Sequence, residues 1–294
     1  MIEIRLPISE TLVDPLEAHF CEQVRCGWGI QRNGVSDDFF LFGYFDDEAQ
    51  ALEAWKTLRA LFGELPETPP LTQLDDRDWK EAYKAHLKPW DSRGLHWVPV
   101  WMKDEYVVPA GEIRFLFDAG LAFGTGDHPT TRLCAGRLLD WRDAHGKTAL
   151  QTARVIDAGC GSGILAISAA LLGFRHVYGF DRDPEAVRVS RDNARFNGLN
   201  DGDICFEDGG LEAGLKDRKA DILLCNIQAD VLCLYADTLL GALNPGATLA
   251  LSGILANEQE NVRAFFEPPV KARFPHARID GRVMGEWSDL AIFV

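Results

Sequence analysis

Asp157-Ala158-Gly159-Cys160-Gly161-Ser162-Gly163 sets a carboxylate ahead of three glycines at alternate positions. That composition turns the backbone tightly and lets its amides approach a ligand closely. Val155 and Ile156 read as the end of a short buried strand, and Ile164 to Leu172 as an apolar helix closed by Gly173. His176 to Phe180 reads as the next strand, with Asp181 at its carboxyl end. A strand–loop–helix–strand unit of this kind holds its ligand outside the carboxyl ends of the strands, over the helix N-terminus.

Two ligands fit this unit. Gly161-Ser162-Gly163-Ile164-Leu165-Ala166 satisfies the loose dinucleotide pattern, and Asp181 lies 181 − 161 = 20 residues beyond Gly161, where a ribose-binding acid belongs. The overlapping Asp157-x-Gly159-x-Gly161-x-Gly163 is the pattern of S-adenosylmethionine loops. Both readings put an acid on a ribose, so the loop alone leaves the ligand open.

A second polar stretch, Ala122-Phe123-Gly124-Thr125-Gly126-Asp127-His128-Pro129-Thr130-Thr131, leads into an apolar helix expected from about Thr131 to Trp141. Its hydroxyls and amides either cap that helix or face a ligand. His128 has no second His or Cys at ligand spacing, so no metal site is expected.

Around these stretches, hydrophobic periodicity divides the chain. Glu3 to Ile8 (strand), Thr11 to Cys21 (helix), Trp28 to Arg32 and Asp38 to Phe45 (a hairpin through Asn33-Gly34) and a helix capped by Asp46 and running to about Phe62 suggest a ferredoxin-like α+β sandwich. Leu71 to Asp76 reads as linker or short edge strand, and Arg77 to Leu87 as a short amphipathic helix. Strands are expected at Leu95 to Trp101 and Ile113 to Phe117. Beyond Asp181, a helix from Asp183-Pro184-Glu185 to Asn197, a strand at Ile204 to Glu207 and a strand at Asp221 to Cys225 continue the alternation. A helix to about Leu243, a strand at Thr248 to Ser252 and a helix at Asn257 to Phe266 follow. Arg273 to Asp280 and Trp287 to Val294 close the chain as two strands without a helix between them. The expected fold is α/β, a doubly wound Rossmann-like sheet with a closing antiparallel hairpin. The expected domains are residues 1–65, a linker with a short helix over 66–94, and a large domain over 95–294.

Bulk properties narrow the function. With 47% hydrophobic residues the 294-residue chain can bury a large core. No apolar run has the length of a membrane span, and Met1-Ile2-Glu3-Ile4-Arg5 is not a signal-peptide start. Seven cysteines without paired CxxC spacing point to reduced thiols and a cytoplasmic location. A net charge of −15 argues against direct nucleic-acid binding, and suits solubility or attraction of a basic partner.

Leu121-Ala122-Phe123-Gly124-Thr125-Gly126-x-His128-Pro129-Thr130-Thr131-Arg132-Leu133-Cys134 closely resembles the signature of the PrmA family, the class I methyltransferases of ribosomal protein L11. Asp157 to Ile167, Gly179-x-Asp181-x-Asp183-Pro184, Asn193-Ala194, Asn197-Gly198, Asn226-Ile227-x-Ala229, Leu251 to Ala256 and Glu286-Trp287 match in the same order, so the resemblance spans essentially the whole chain. It implies S-adenosylmethionine bound at Thr131, Gly159, Asp181 and Asn226. Gly161 joins them as part of the loop, and Asp208 is a weaker candidate for the adenine amine. Asn226 and Thr131 are the expected catalytic residues, orienting the amine. The implied partner is a large-subunit ribosomal protein, docked by the amino-terminal domain, with no nucleic acid, no membrane and a monomeric enzyme. Asp127 stands where the family usually has Thr, and Gln228 and Asp230 where it is more apolar. The alternatives are methylation of another lysine-bearing protein, a nicotinamide-dependent oxidoreductase, and a cofactor-binding protein without activity.

Overall fold

The computed structural model describes residues 2–21, 28–32, 39–73, 87–118 and 127–294. The chain divides into two compact units, Met1–His86 and Leu87–Val294.

In the first unit, β1 (Ile2–Ile8), α1 (Val13–Cys21), β2 (Trp28–Arg32), β3 (Phe39–Phe45), α2 (Glu48–Leu61) and β4 (Leu71–Gln73) build an antiparallel sheet in the order β2-β3-β1-β4. Strand alternation assigns the faces. Ile2, Ile4, Leu6 and Leu41 pack with Leu16, Ala51, Trp55 and Leu58 of the helices. The opposite face carries Glu3, Arg5 and Pro7, paired across the ladder with Tyr44, Phe42 and Phe40. Asp47 rather than Asp46 caps α2. Its backbone is extended, and its side chain accepts the Gln50 amide at 2.9 Å. Leu71–Gln73 is a short edge strand beside β1. The Asn33-Gly34 turn, residues 77–86 of the expected Arg77 to Leu87 helix, and the Gly124-Thr125-Gly126 segment lie outside the described residues.

The second unit opens with β5 (Trp90–Ser92), β6 (Leu95–Pro99) and β7 (Ile113–Phe117), a small sheet of its own. Then come α3 (Pro129–Leu150), β8 (Arg154–Ala158), α4 (Ile164–Leu171), β9 (His176–Asp181), α5 (Pro184–Phe196), β10 (Cys205–Asp208) and α6 (Leu211–Leu215). The chain continues with β11 (Ala220–Asn226), α7 (Ala229–Leu234), α8 (Ala236–Gly241), β12 (Leu243–Leu255), α9 (Gln259–Arg273), β13 (Arg278–Met284) and β14 (Trp287–Phe293). Seven strands form one sheet in the order β10-β9-β8-β11-β12-β14-β13. Only β14 runs against its neighbours. The central strands β8 and β11 are covered on both faces, which is why Val155-Ile156 and Ile222-Leu223-Leu224-Cys225 are unbroken apolar runs.

Some element boundaries differ from the sequence reading. The helix expected to end at Trp141 runs to Leu150 through a kink at Gly146. Two short helices broken at Tyr235 replace the single one after Asn226. α9 continues past Phe266 through Pro268 and Pro269, because Phe266 and Val270 bury one stripe of it in the core. The following strand therefore starts at Arg278 instead of Arg273.

One ion pair ties α3 to the closing hairpin. Arg137 and Asp289 are 2% and 1% exposed, and the Arg137 guanidinium donates from Nε and Nη2 to the two Asp289 oxygens at 2.7 Å each. Its Nη1 reaches Asp280 at 2.7 Å, and the Arg282 amide donates to Asp289 Oδ1 at 2.9 Å. Replacing Asp289 by Ala removes two of the three bonds to the buried Arg137 guanidinium and leaves it only the half-exposed Asp280, which should cost about 2–4 kcal/mol in denaturant unfolding. A loss below about 1 kcal/mol would show that water reaches this pair.

Candidate active site

The turn after β8 is held from both sides. The amides of Gly159 and Cys160 donate to Phe180 O at 2.9 and 3.0 Å, fixing the loop to β9. Gly159 has φ +76, and a Cβ there would lie 2.8 Å from Ile227 Cγ2. Only glycine combines that backbone angle with so close a neighbour. From behind, Ser190 Oγ donates to Gly161 O at 2.8 Å and Asn193 Nδ2 donates to Ser162 O at 2.9 Å. Asn193 Oδ1 also accepts the Asp118 amide at 2.8 Å, and the Asn197 amide group bonds both Leu116 N and Leu116 O. Ser190 and Asn193 of α5 and Asn197 at its C-cap thus fasten the glycine loop and the end of β7. Their helical spacing was the available signal, but polar residues at that spacing ordinarily read as a solvated face.

Asp181 ends β9 half-buried, with its carboxylate oriented by two amides. Gly161 N donates to Oδ2 at 2.9 Å and Asp183 N donates to Oδ1 at 3.0 Å. Each oxygen keeps acceptor capacity for a further donor. Asp208 pairs with Asp181 in the β10–β9 register and is exposed. The structure thus brings Gly159, Gly161, Asp181 and Asp208 to neighbouring strand ends.

Thr131 and Asn226 form a second group at the carboxyl ends. Thr131 is fully buried in the first turn of α3, and Asn226 ends β11. Asn226 Nδ2 faces Thr131 Oγ1 at 3.5 Å, the outer limit of a hydrogen bond. Asn226 Oδ1 is buried and has no hydrogen-bond partner among the described residues. A buried acceptor left open in this way costs free energy unless a ligand fills it. His128 caps α3, with Nδ1 2.8 Å from Thr130 Oγ1, and meets Trp287 edge-on at 4.9 Å between ring centroids. Burial lowers the His128 pKa. Asp127 is ion-paired with Arg132 at 2.9 Å, and that guanidinium lies 5.0 Å from the Trp90 ring centroid. Among the described residues no cluster of His, Cys, Asp or Glu could hold a metal ion, and no helix is long and apolar enough to cross a membrane.

Asp157 stands beneath the loop, 1% exposed. Its Oδ2 accepts the Ala166 amide at 3.0 Å, and Oδ1 has no partner among the described residues. Burial pushes its carboxyl up to about 7, against the Ala166 bond, which lowers it, and with a further rise from Asp181.

The sheet order, the antiparallel β14 and the glycine turn after β8 together define a class I methyltransferase fold. The family described as "Ribosomal protein L11 methyltransferase (PrmA)" matches residues 17–291. The chain belongs to this family. It is 39% identical over 250 residues to the ribosomal protein L11 methyltransferase of Pseudomonas putida strain F1, covering 82% of this chain and 80% of that protein. Its counterpart in Pseudomonas aeruginosa strain LESB58 is 41% identical over 227 residues, 75% of this chain and 72% of that one. Among solved structures, ribosomal protein L11 methylase from Lactobacillus delbrueckii subsp. bulgaricus superposes with a TM-score of 0.57 at 31% identity, covering 68% of this chain and 95% of that one.

A buried acid with a raised pKa weakens the fold as it ionises. The Asp157 contribution is intact below the unfolded value of 3.8 and falls as pH rises towards about 7. Asp157→Asn keeps the Ala166 bond and removes the charge. The difference in unfolding free energy between variant and wild type should grow between pH 5 and 7 by at most roughly 1.4 kcal/mol per pH unit. A difference that stays flat over that range would mean that Asp157 is already ionised in the folded protein.

Proposed function

We propose that this protein transfers methyl groups from S-adenosylmethionine to lysine or N-terminal amines of ribosomal protein L11. Membership of the PrmA family supports the substrate. The open Asn226 Oδ1 acceptor beside Thr131 is the single observation that carries the site. Gly161 to Ala166 also fits a nicotinamide loop, but that reading gives no role to Thr131 or Asn226 and does not account for the family match.

The residues suit the cofactor. The tight Gly159 turn would bring its backbone to the methionine part, Asp181 has acceptor capacity for the ribose hydroxyls, and Asp208 would be the weaker candidate for the adenine amine. When bound, its sulfonium supplies an electrophilic methyl group. The remaining work belongs to the chain. A lysine amine with a free pKa of about 10.4 reacts only after losing its proton, and a dry site favours the neutral form. Asn226 Oδ1 accepts an N–H of that neutral amine and aims its lone pair, with Thr131 holding the amide in place. Such alignment needs no general base.

The amino-terminal unit supplies a docking surface for the intact protein. Phe40, Phe42 and Tyr44 stand in a row on the sheet face opposite the helices, with Arg5 over Phe40 at 5.1 Å. Aromatic side chains are enriched at protein interfaces, and the charge of −15 on the whole chain draws a basic partner.

The experiment is incubation of the full-length protein with labelled S-adenosylmethionine and L11, followed by mass spectrometry of the product. Label on L11 amines is expected, and cofactor binding without label on L11 would overturn the reading. Asp181→Ala should weaken cofactor binding by about 2–4 kcal/mol in calorimetry, since two hydrogen bonds to a charged acceptor are lost. Unchanged affinity would remove Asp181 from the site. Phe42→Ala should raise KM for intact L11 about tenfold or more and leave cofactor affinity unaltered. A wild-type KM would remove that face from docking.

A further inference from the structure

Thr131 lies in the first turn of α3 and Asn226 at the end of β11, 95 residues apart in sequence. A reaction that depends on their mutual placement needs something to set the two elements against each other. Ser252 and Gly253 of β12 touch both.

Ser252 is fully buried and pairs with Asn226 in the β11–β12 register. Its carbonyl accepts the Ile227 amide at 3.1 Å, and its hydroxyl donates to Thr130 O at 2.9 Å. One residue therefore holds the backbone on the far side of Asn226 and the backbone just ahead of Thr131. Gly253 completes the arrangement. The β12–β14 register slips between Ser252 and Ile254, leaving Gly253 as a bulge with φ +87. A Cβ at this position would lie 2.3 Å from Ile227 O and 2.8 Å from Ile227 C. The Asn226-Ile227 turn thus rests directly on the Gly253 backbone, and the Ile227 side chain reaches over to Gly159. A bulge beside a site commonly re-aims the groups next to it.

We infer that the Ser252-Gly253 bulge is the positioning device of the site, setting Thr131 of α3 against Asn226 of β11. This inference rests on the proposed methyl transfer only for its kinetic readout. Ser252 acts through Thr130 on Thr131, and Gly253 acts through Ile227 on Asn226. Neither touches the reacting groups.

The test uses the full-length protein carrying Ser252→Ala, alone and combined with Thr131→Ala, and Gly253→Ala, alone and combined with Asn226→Ala. Crystal structures of wild type and Ser252→Ala give the Asn226 Nδ2 to Thr131 Oγ1 separation, now 3.5 Å. That separation should change by more than about 0.5 Å, the tolerance of a catalytic arrangement. On L11, Ser252→Ala should lower kcat about tenfold with KM and cofactor affinity within about twofold of wild type. In the Thr131→Ala background the same change should cost nothing more, as residues acting in one unit are not additive. Gly253→Ala should behave likewise towards Asn226→Ala, and if it fails to fold the Ser252 cycle decides the matter. An unchanged separation, or kcat losses that multiply in the double variants, would overturn the inference. If wild type leaves L11 unmethylated, the proposed function falls, while the measured separation still decides the role of the bulge.

Discussion

Arg137 and Asp289 meet across 152 residues of sequence, nearly out of reach of water, through two 2.7 Å bonds. Buried charges oppose folding unless they are matched, so this pairing admits one seating of α3 on the sheet. The seating has consequences two turns away. The same helix begins with Thr130 and Thr131, and its direction is set by the antiparallel strand β14 that supplies Asp289. The closing hairpin, remote in sequence from every glycine of the loop, therefore anchors the body of α3, while Ser252 fastens its first turn.

The glycine loop illustrates the complementary constraint. Its amides are directed at Phe180 O and Asp181, while its carbonyls are claimed from behind by Ser190 and Asn193. With both sets of backbone groups satisfied, the loop has little freedom to reshape itself around a ligand. A cofactor that meets it finds a preformed surface, and less of the binding free energy is spent on ordering. The buried Asp157 beneath adds stability through the Ala166 amide only at the expense of a carboxyl held up at about 7.

Asp127 departs from the usual family residue, yet Arg132 accounts for it. Their 2.9 Å ion pair joins the residue before the α3 cap to the first turn, both side chains being half-exposed. A pair of that exposure contributes little to stability. Its effect is to give Asp127 a partner within its own chain.

Much of this was legible from residues alone. The Asp157 to Gly163 turn, the apolar helix after it and Asp181 twenty residues on are local in sequence, and local periodicity and turn chemistry suffice to place them. The same holds for the alternation of strands and helices that makes the sheet doubly wound, and for the two-strand finish that turns β14 around. Helix ends were less legible, because α9 runs on through Pro268-Pro269 once Phe266 and Val270 are buried, and propensity gives way to packing there. What only the tertiary structure decided is the set of contacts between residues far apart in sequence. Ser190 and Asn193 hold the glycine loop only once it is folded over them, and Gly253 meets Ile227 only through the pairing of β11 with β12. Strand order, register and burial assign those partners, and none of these is encoded at the spacing of a helix or a strand.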